Sequence, residues 1–222
     1  MSGAQTAAAL GGCETDGSLV SAWLVGDDVS AAEEAEFFET LDADERRRAD
    51  RLDTTRARRR FIVAHGAVRR IVADHLGTPP ADLTRRIGRH GKPELPGVQV
   101  NYSHSGGLCL VALSATRQVG ADIQRLVPGL DVTAMARRYF PADEARAVAE
   151  GGSDVFTRLW ARKEAVCKAF GGRLTQVLPL PVAGDVVQVG SSGYRVVDLC
   201  VPAGFRAAVA LSGAEPFRVE LV

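Results

Sequence analysis

Three lysines stand among 24 arginines in this chain of 222 residues: Lys92, Lys163 and Lys168. Arginine and lysine are interchangeable on a solvated face, but a compact ammonium or a proton donor requires lysine. Lys163 and Lys168 fall in one segment, Trp160-Ala161-Arg162-Lys163-Glu164-Ala165-Val166-Cys167-Lys168. On a helix, Trp160, Glu164 and Lys168 recur at i, i+4 and i+8 and share a side. A glutamate that takes a proton, beside ammonium groups that hold phosphate, would form a phosphoryl-transfer face. The plainer reading is an exposed Glu–Lys pair beside a buried tryptophan; the crowding of two of three lysines into one helix speaks against it.

Three other segments carry candidate chemistry. In Val119-Gly120-Ala121-Asp122-Ile123-Gln124, strand alternation puts Asp122 and Gln124 on one face and Ala121 and Ile123 on the other. A buried Asp needs a partner, and a hard cation such as Mg²⁺ suits a carboxylate; a strand-end Asp capping a turn is the plain alternative. The loop Gly91-Lys92-Pro93 precedes Asn101-Tyr102-Ser103-His104-Ser105-Gly106-Gly107, where His104 could contact an anion. Residues 46–60 hold eight arginines, among them Arg51 and Arg60. Arg47, Arg51 and Arg58 recur on one helical side that could bind phosphate, although a solvated face balancing nearby acids accounts for most of the run. No serine-hydrolase elbow, Walker loop or dinucleotide fingerprint occurs.

These residues need elements to hold them. Ser18–Val25 reads as a first strand. Ser30 with Glu33, and Asp42 with Glu45, are two capping boxes, opening a helix to about Leu41 and a helical stretch to about Leu76. Gly77-Thr78-Pro79-Pro80 stops it. Strands follow near Arg85–Ile87, Val98–Ser103, Leu108–Ser114 and Val119–Ile123. Helices are expected near Val132–Arg138, from Pro141 to Gly151-Gly152, and from Val155 to Phe170, with Gly171-Gly172 as the stop. The remainder reads as strand, near Val186–Val189, Tyr194–Cys200, Phe205–Leu211 and Phe217–Val222.

Composition sets bounds. With 46% hydrophobic residues and Lys plus Arg equal to Asp plus Glu at 27, the chain is neither collagenous nor disordered. Four scattered cysteines without a C-x-x-C pair give no disulfide or zinc framework. Neutral charge disfavours a nucleic-acid binder, and no apolar run is long enough for a membrane span. The first 45 residues carry eleven acids and no base, which is unlike a secretory or transit peptide. The expectation is a cytoplasmic monomer with a tail at residues 1–18.

Together these segments resemble the Sfp-type 4′-phosphopantetheinyl transferases. That pattern orders a GKP loop, an N-x-S-H-S segment, a G-x-D-x-E strand and a W-x-x-K-E-A-x-x-K helix. Gly91-Lys92-Pro93, Asn101–Ser105, Gly120–Gln124 and Trp160–Lys168 stand in that order here. Arg60-Phe61 and the stretch from Arg138-Tyr139-Phe140 to Glu144 match further family segments. The resemblance implies an α+β fold, a pseudo-twofold pair of similar α/β lobes with helices packed on small antiparallel sheets. The first lobe would span 19–117 and the second 118–222, with coenzyme A between them. It implies transfer of the phosphopantetheine arm of coenzyme A to a serine of an apo acyl or peptidyl carrier protein, releasing 3′,5′-ADP. By matching positions, Asp122, Gln124 and Glu164 would hold Mg²⁺. Glu164 would help deprotonate the serine, and Lys168 would stabilise the leaving phosphate. Lys163 would line the pyrophosphate channel. His104 would contact the 3′-phosphate with Arg51 or another first-lobe arginine such as Arg60. Lys92 and Ser103 would line the adenosine end. Gln124 departs from the pattern's Glu, and His65 stands where many relatives have Arg. An amide oxygen is a weaker Mg²⁺ ligand than a carboxylate, so metal preference would change; a binding relative without catalysis is the alternative.

Overall fold

The computed structural model describes residues 18–84, 86–87, 93–95 and 97–222. The tail expected at residues 1–18 lies almost wholly outside them, as do Arg85, Gly91 and Lys92. Two four-stranded sheets form the frame. The first has the order β10-β1-β5-β4, from Arg218–Leu221, Leu19–Gly26, Leu108–Ser114 and Gln99–Ser105. The second has the order β6-β9-β8-β7, from Val119–Arg125, Phe205–Ser212, Ser192–Leu199 and Val186–Val189. A short hairpin pairs β2 (Arg86–Ile87) with β3 (Pro93–Glu94).

The two halves repeat one plan. In each, a first strand is followed by helices and then by an antiparallel hairpin whose second strand returns to pair with the first: β1 with β5, and β6 with β9. This is the expected α+β architecture. Alternation along the strands gives each sheet two apolar faces. Val20, Ala22, Leu110 and Ala112 of the first sheet meet Val119, Ala121, Ile123, Val209 and Leu211 of the second in a shared core. The opposite face of the first sheet, including Val100, Cys109, Val111 and Leu113, is covered by α3 (Thr55–Leu76). The opposite face of the second, including Ala208 and Ala210, is covered by α5 (Ala142–Phe170).

The helices start where side chains can satisfy free backbone N–H groups. Both capping boxes are present, opening α1 (Ala31–Thr40) and α2 (Ala43–Asp50). The expected continuous stretch to Leu76 is interrupted, because Thr54 caps a new helix by accepting from the Ala57 N–H. The expected break at Gly151-Gly152 is a kink within α5, where Gly152 has φ 65°. A short α4 (Val132–Tyr139) precedes it and α6 (Leu174–Val177), unforeseen, follows it. The sheet topology also departs from a division at residue 118: β10 runs parallel to β1, pairing Leu19 with Arg218 and Ala22 with Leu221. A C-terminal strand thus completes the sheet of the first half. No helix among the described residues is long and apolar enough to cross a membrane.

One contact fixes β6 on α5. A Cβ added to Gly120 would overlap the Ala165 carbonyl oxygen and the Ala169 amide nitrogen, both of them backbone atoms. Ala161, Ala165 and Ala169 are buried along that side of the helix. Neither partner can yield without moving its element, so Gly120→Ala is expected to destabilise the fold by about 3 kcal/mol or more. Urea unfolding, set against Gly184→Ala in open space, measures this.

Candidate active site

Gly120, Asp122 and Gln124 share one face of β6, so the close approach at Gly120 carries Asp122 against α5. Asp122 is 1% exposed. A carboxylate in that position is tolerable only when paired and hydrogen-bonded. The Lys168 ammonium donates to its Oδ1 at 2.6 Å, and the Ser103 hydroxyl, from β4 of the other half, donates to the same oxygen at 2.7 Å. The Gln124 amide donates to Oδ2 at 3.0 Å. Lys168 also donates to the Ala121 carbonyl at 3.1 Å.

Glu164 lies one helical turn before Lys168 and is half-buried. Burial and the Asp122 charge raise its affinity for a proton, while Lys168 opposes them. No hydrogen bond holds its carboxylate among the described residues. Asp122, Glu164 and the Gln124 amide therefore offer hard oxygen donors around a site where two carboxylates repel, the kind of set that a divalent cation relieves. No group of three His, Cys, Asp or Glu side chains fit for a metal occurs among the described residues, so Gln124 or solvent has to complete such a shell.

A second polar group sits at the end of β4. His104 is held toward its neutral form by partial burial, then by the charges of Arg60, His65 and Lys168. Arg60 and His104 line one small pocket with Asp27 and Gly107. A third pocket region, lined by Gln124, Val127, Met135, Phe156 and Trp160, opens beside the Asp122 cluster.

Residues 118–206 match the family model of the 4′-phosphopantetheinyl transferase superfamily. Over 174 residues the chain is 32% identical to the 4′-phosphopantetheinyl transferase HetI of Nostoc sp., covering 74% of this chain and 73% of that protein. The chain belongs to this superfamily. It is 24% identical to the 4′-phosphopantetheinyl transferase Sfp of Bacillus subtilis over 179 residues, 77% of this chain and 76% of that one. It is 32% identical to the 4′-phosphopantetheinyl transferase AcpT of Salmonella typhimurium over 129 residues, 53% of this chain and 67% of that one. These relatives make the protein a transferase.

Within the transferase, the structure brings Asp122, Gln124, Glu164 and Lys168 together and sets Arg60 beside His104. Three expectations need correction. Lys163 cannot line a phosphate channel: its side chain is 0% exposed, paired with Glu144 at 2.7 Å and donating to the Leu180 carbonyl at 2.6 Å, with Phe140 beneath it. It lies only one residue from Glu164, about 100° around the helix, which turns it into the protein core. Ser103, expected with Lys92 at the adenosine end, instead donates to Asp122, on the face of β4 opposite His104. Arg51 is exposed just past α2, and of the first-lobe arginines expected at the 3′-phosphate it is Arg60 that lines the pocket with His104. Lys92 falls outside the described residues.

Several residues of consequence escaped the sequence reading. Glu144 receives the Val182 and Ala183 amides as well as Lys163. Glu45 is buried, and although burial opposes it, hydrogen bonds from His65 and Arg69 hold its proton affinity down at about 2. His65 is committed to that network, with Nε2 on the Tyr102 hydroxyl at 3.1 Å and its ring stacked on Phe61. The sequence touched these residues through the Glu45 capping box, the departure at His65 and the family match ending at Glu144, but none of the three disclosed the contacts. Because Lys168 lowers the proton affinity of Glu164 and Asp122 raises it, Lys168→Met is expected to push the Glu164 titration upward and Asp122→Asn to bring it down. Carbon-detected NMR titration of the glutamate carboxyls reads both directions.

Proposed function

We propose that this transferase moves the 4′-phosphopantetheine arm of coenzyme A onto a serine hydroxyl of an apo acyl or peptidyl carrier protein, with Mg²⁺ as its metal, and releases 3′,5′-ADP. The observation that carries the reading is the buried Asp122–Lys168 pair at 2.6 Å with Glu164 beside it, in a chain of this superfamily. It is a set of two carboxylates and one ammonium at the junction of the two halves, suited to a pyrophosphate and its counter-ion.

Asp122, Glu164 and the Gln124 amide would hold the metal. When bound, it would neutralise charge on the pyrophosphate oxygens. The protein's own groups do the rest. Glu164, directly or through a water, takes the proton of the incoming serine hydroxyl; burial and the Asp122 charge raise its proton affinity, which favours that transfer. The serine oxygen forms the new bond to the phosphorus that bears the pantetheine. The bond from that phosphorus to the bridging oxygen breaks, and the electron pair leaves on 3′,5′-ADP. Lys168 can turn from Asp122 to the departing phosphate, where a cation stabilises developing charge. Ser103 keeps a hydrogen bond on Asp122 meanwhile. Arg60 and His104 would receive the 3′-phosphate. The unit at work would be a cytoplasmic monomer.

The test mixes the protein with an apo carrier protein, coenzyme A and Mg²⁺ and weighs the carrier by mass spectrometry. A gain of one phosphopantetheine arm is expected; no gain across fatty-acid, polyketide and nonribosomal-peptide carriers overturns the reading. Glu164→Ala and Lys168→Ala are expected to lose activity by roughly a hundredfold or more while remaining folded. Gln124→Glu is expected to lower the Mg²⁺ concentration for half-maximal rate, since a carboxylate is a stronger ligand for a hard cation. An unchanged metal titration would show that Gln124 does not serve the metal.

A further inference from the structure

The pocket at the end of β4 contains an acid that the proposed chemistry does not use. Asp27 follows β1 directly, and its Oδ2 accepts from Arg60 Nε at 2.8 Å. The Asp27 backbone N–H donates to the Gly107 carbonyl at 2.8 Å. Gly107 has φ +100°, and a Cβ there would stand 3.0 Å from Asp27 Oδ1, so the carboxylate fits against a residue that has to be glycine. Asp27 thus ties three elements at one point: the end of β1, the β4–β5 turn and the first turns of α3.

The guanidinium has five N–H donors in a planar fork. Asp27 takes the Nε side, and no other partner engages the Arg60 side chain among the described residues. What remains is the Nη1–Nη2 edge, the geometry that grips a phosphate with two parallel hydrogen bonds. His104 lines the same pocket. An arginine left loose would have to freeze its long side chain each time a ligand bound.

We propose that Asp27 is a positioning residue for the nucleotide end of coenzyme A: it holds Arg60 by Nε so that the Nη edge, beside His104, is presented to the 3′-phosphate. This rests on the reading of Arg60 and His104 given above. Asp27 does not touch the phosphate, and its negative charge alone would repel it. Its contribution is orientation, and the consequence is selectivity for coenzyme A over the analogue that lacks the 3′-phosphate.

Steady-state kinetics of the full chain with a fixed carrier protein, coenzyme A and dephospho-coenzyme A test this. Asp27→Ala is expected to raise KM for coenzyme A by roughly fivefold to tenfold, part of one charge-assisted hydrogen bond. Neither kcat nor KM for the dephospho analogue should change. Asp27→Asn keeps an acceptor oxygen for Nε and is expected to stay within about twofold of the parent protein. Asp27→Ser, too short to reach Nε, answers the same question if the alanine chain folds poorly. An unchanged or lowered KM for coenzyme A in the alanine and serine chains overturns the proposal, since the carboxylate then only opposes the phosphate. An equal rise for both substrates overturns it as well, since the role is then structural. Arg60→Ala separates the two readings. If it abolishes the preference for coenzyme A while Asp27→Ala leaves KM for coenzyme A unchanged, only the role of Asp27 falls. If it leaves the preference intact, the assignment of this pocket to the 3′-phosphate falls and the proposal with it.

Discussion

The molecule depends on one missing side chain. Gly120 lets the backbone of β6 rest on the backbone of α5 at Ala165 and Ala169. Because a strand repeats every second residue, that contact sets the position of Asp122 and Gln124 on the same face. Because a helix repeats every three or four, it sets Glu164 and Lys168 on the facing turns. The shared core of Val119, Ala121, Ile123 and the first-sheet residues then presses β6 from behind. The reactive groups are thus held by elements that cannot move apart without exposing two apolar layers.

Charge is distributed around that frame with economy. Asp122 is buried and satisfied by three donors from β4, β6 and α5. Glu164 has no hydrogen-bond donor among the described residues and shares the field of Asp122. On the proposed reading such a set would take a cationic ligand on its carboxylates and an anionic one on Lys168. The other buried ion pair of α5 behaves differently. Lys163 and Glu144 sit on opposite sides of the Gly152 kink, and their pairing, with the Val182 and Ala183 amides, braces the two segments of the helix. Two lysines five residues apart therefore stand in different settings, Lys168 partly exposed beside Asp122 and Lys163 sealed in the core against Glu144.

Much of this was legible in the residue order, for physical reasons. Capping boxes at Ser30 and Asp42 are local hydrogen-bond arrangements, and local arrangements are written in local sequence. The gathering of Asp122, Glu164 and Lys168 could be anticipated because it depends on short-range periodicity plus one resemblance. What could not be read depends on contacts between distant segments. The 100° that turns Lys163 inward while Glu164 stays beside Asp122 is a matter of where Glu144, Phe140 and Leu180 pack on α5. The alternation that separates Ser103 from His104 has meaning only once β4 is known to lie between α3 and β6. Glu144 closes a segment that matches the family pattern, but its pairing could not be read there, since its partners come from residues 163, 182 and 183 by way of folding. The parallel return of β10 to β1 was likewise hidden, because strand identity says nothing about which sheet a strand joins.

That return has a temporal side. β1 is synthesised well before β10, yet Leu19 pairs with Arg218. During translation β1 has β5 on one side and an open hydrogen-bonding edge on the other until the second half has been made. Non-local strand pairing of this kind slows folding, and a nascent open edge is a template for association with other chains. The sheet that contributes Ser103 to Asp122 therefore cannot reach its full width until the chain has been read to Leu221.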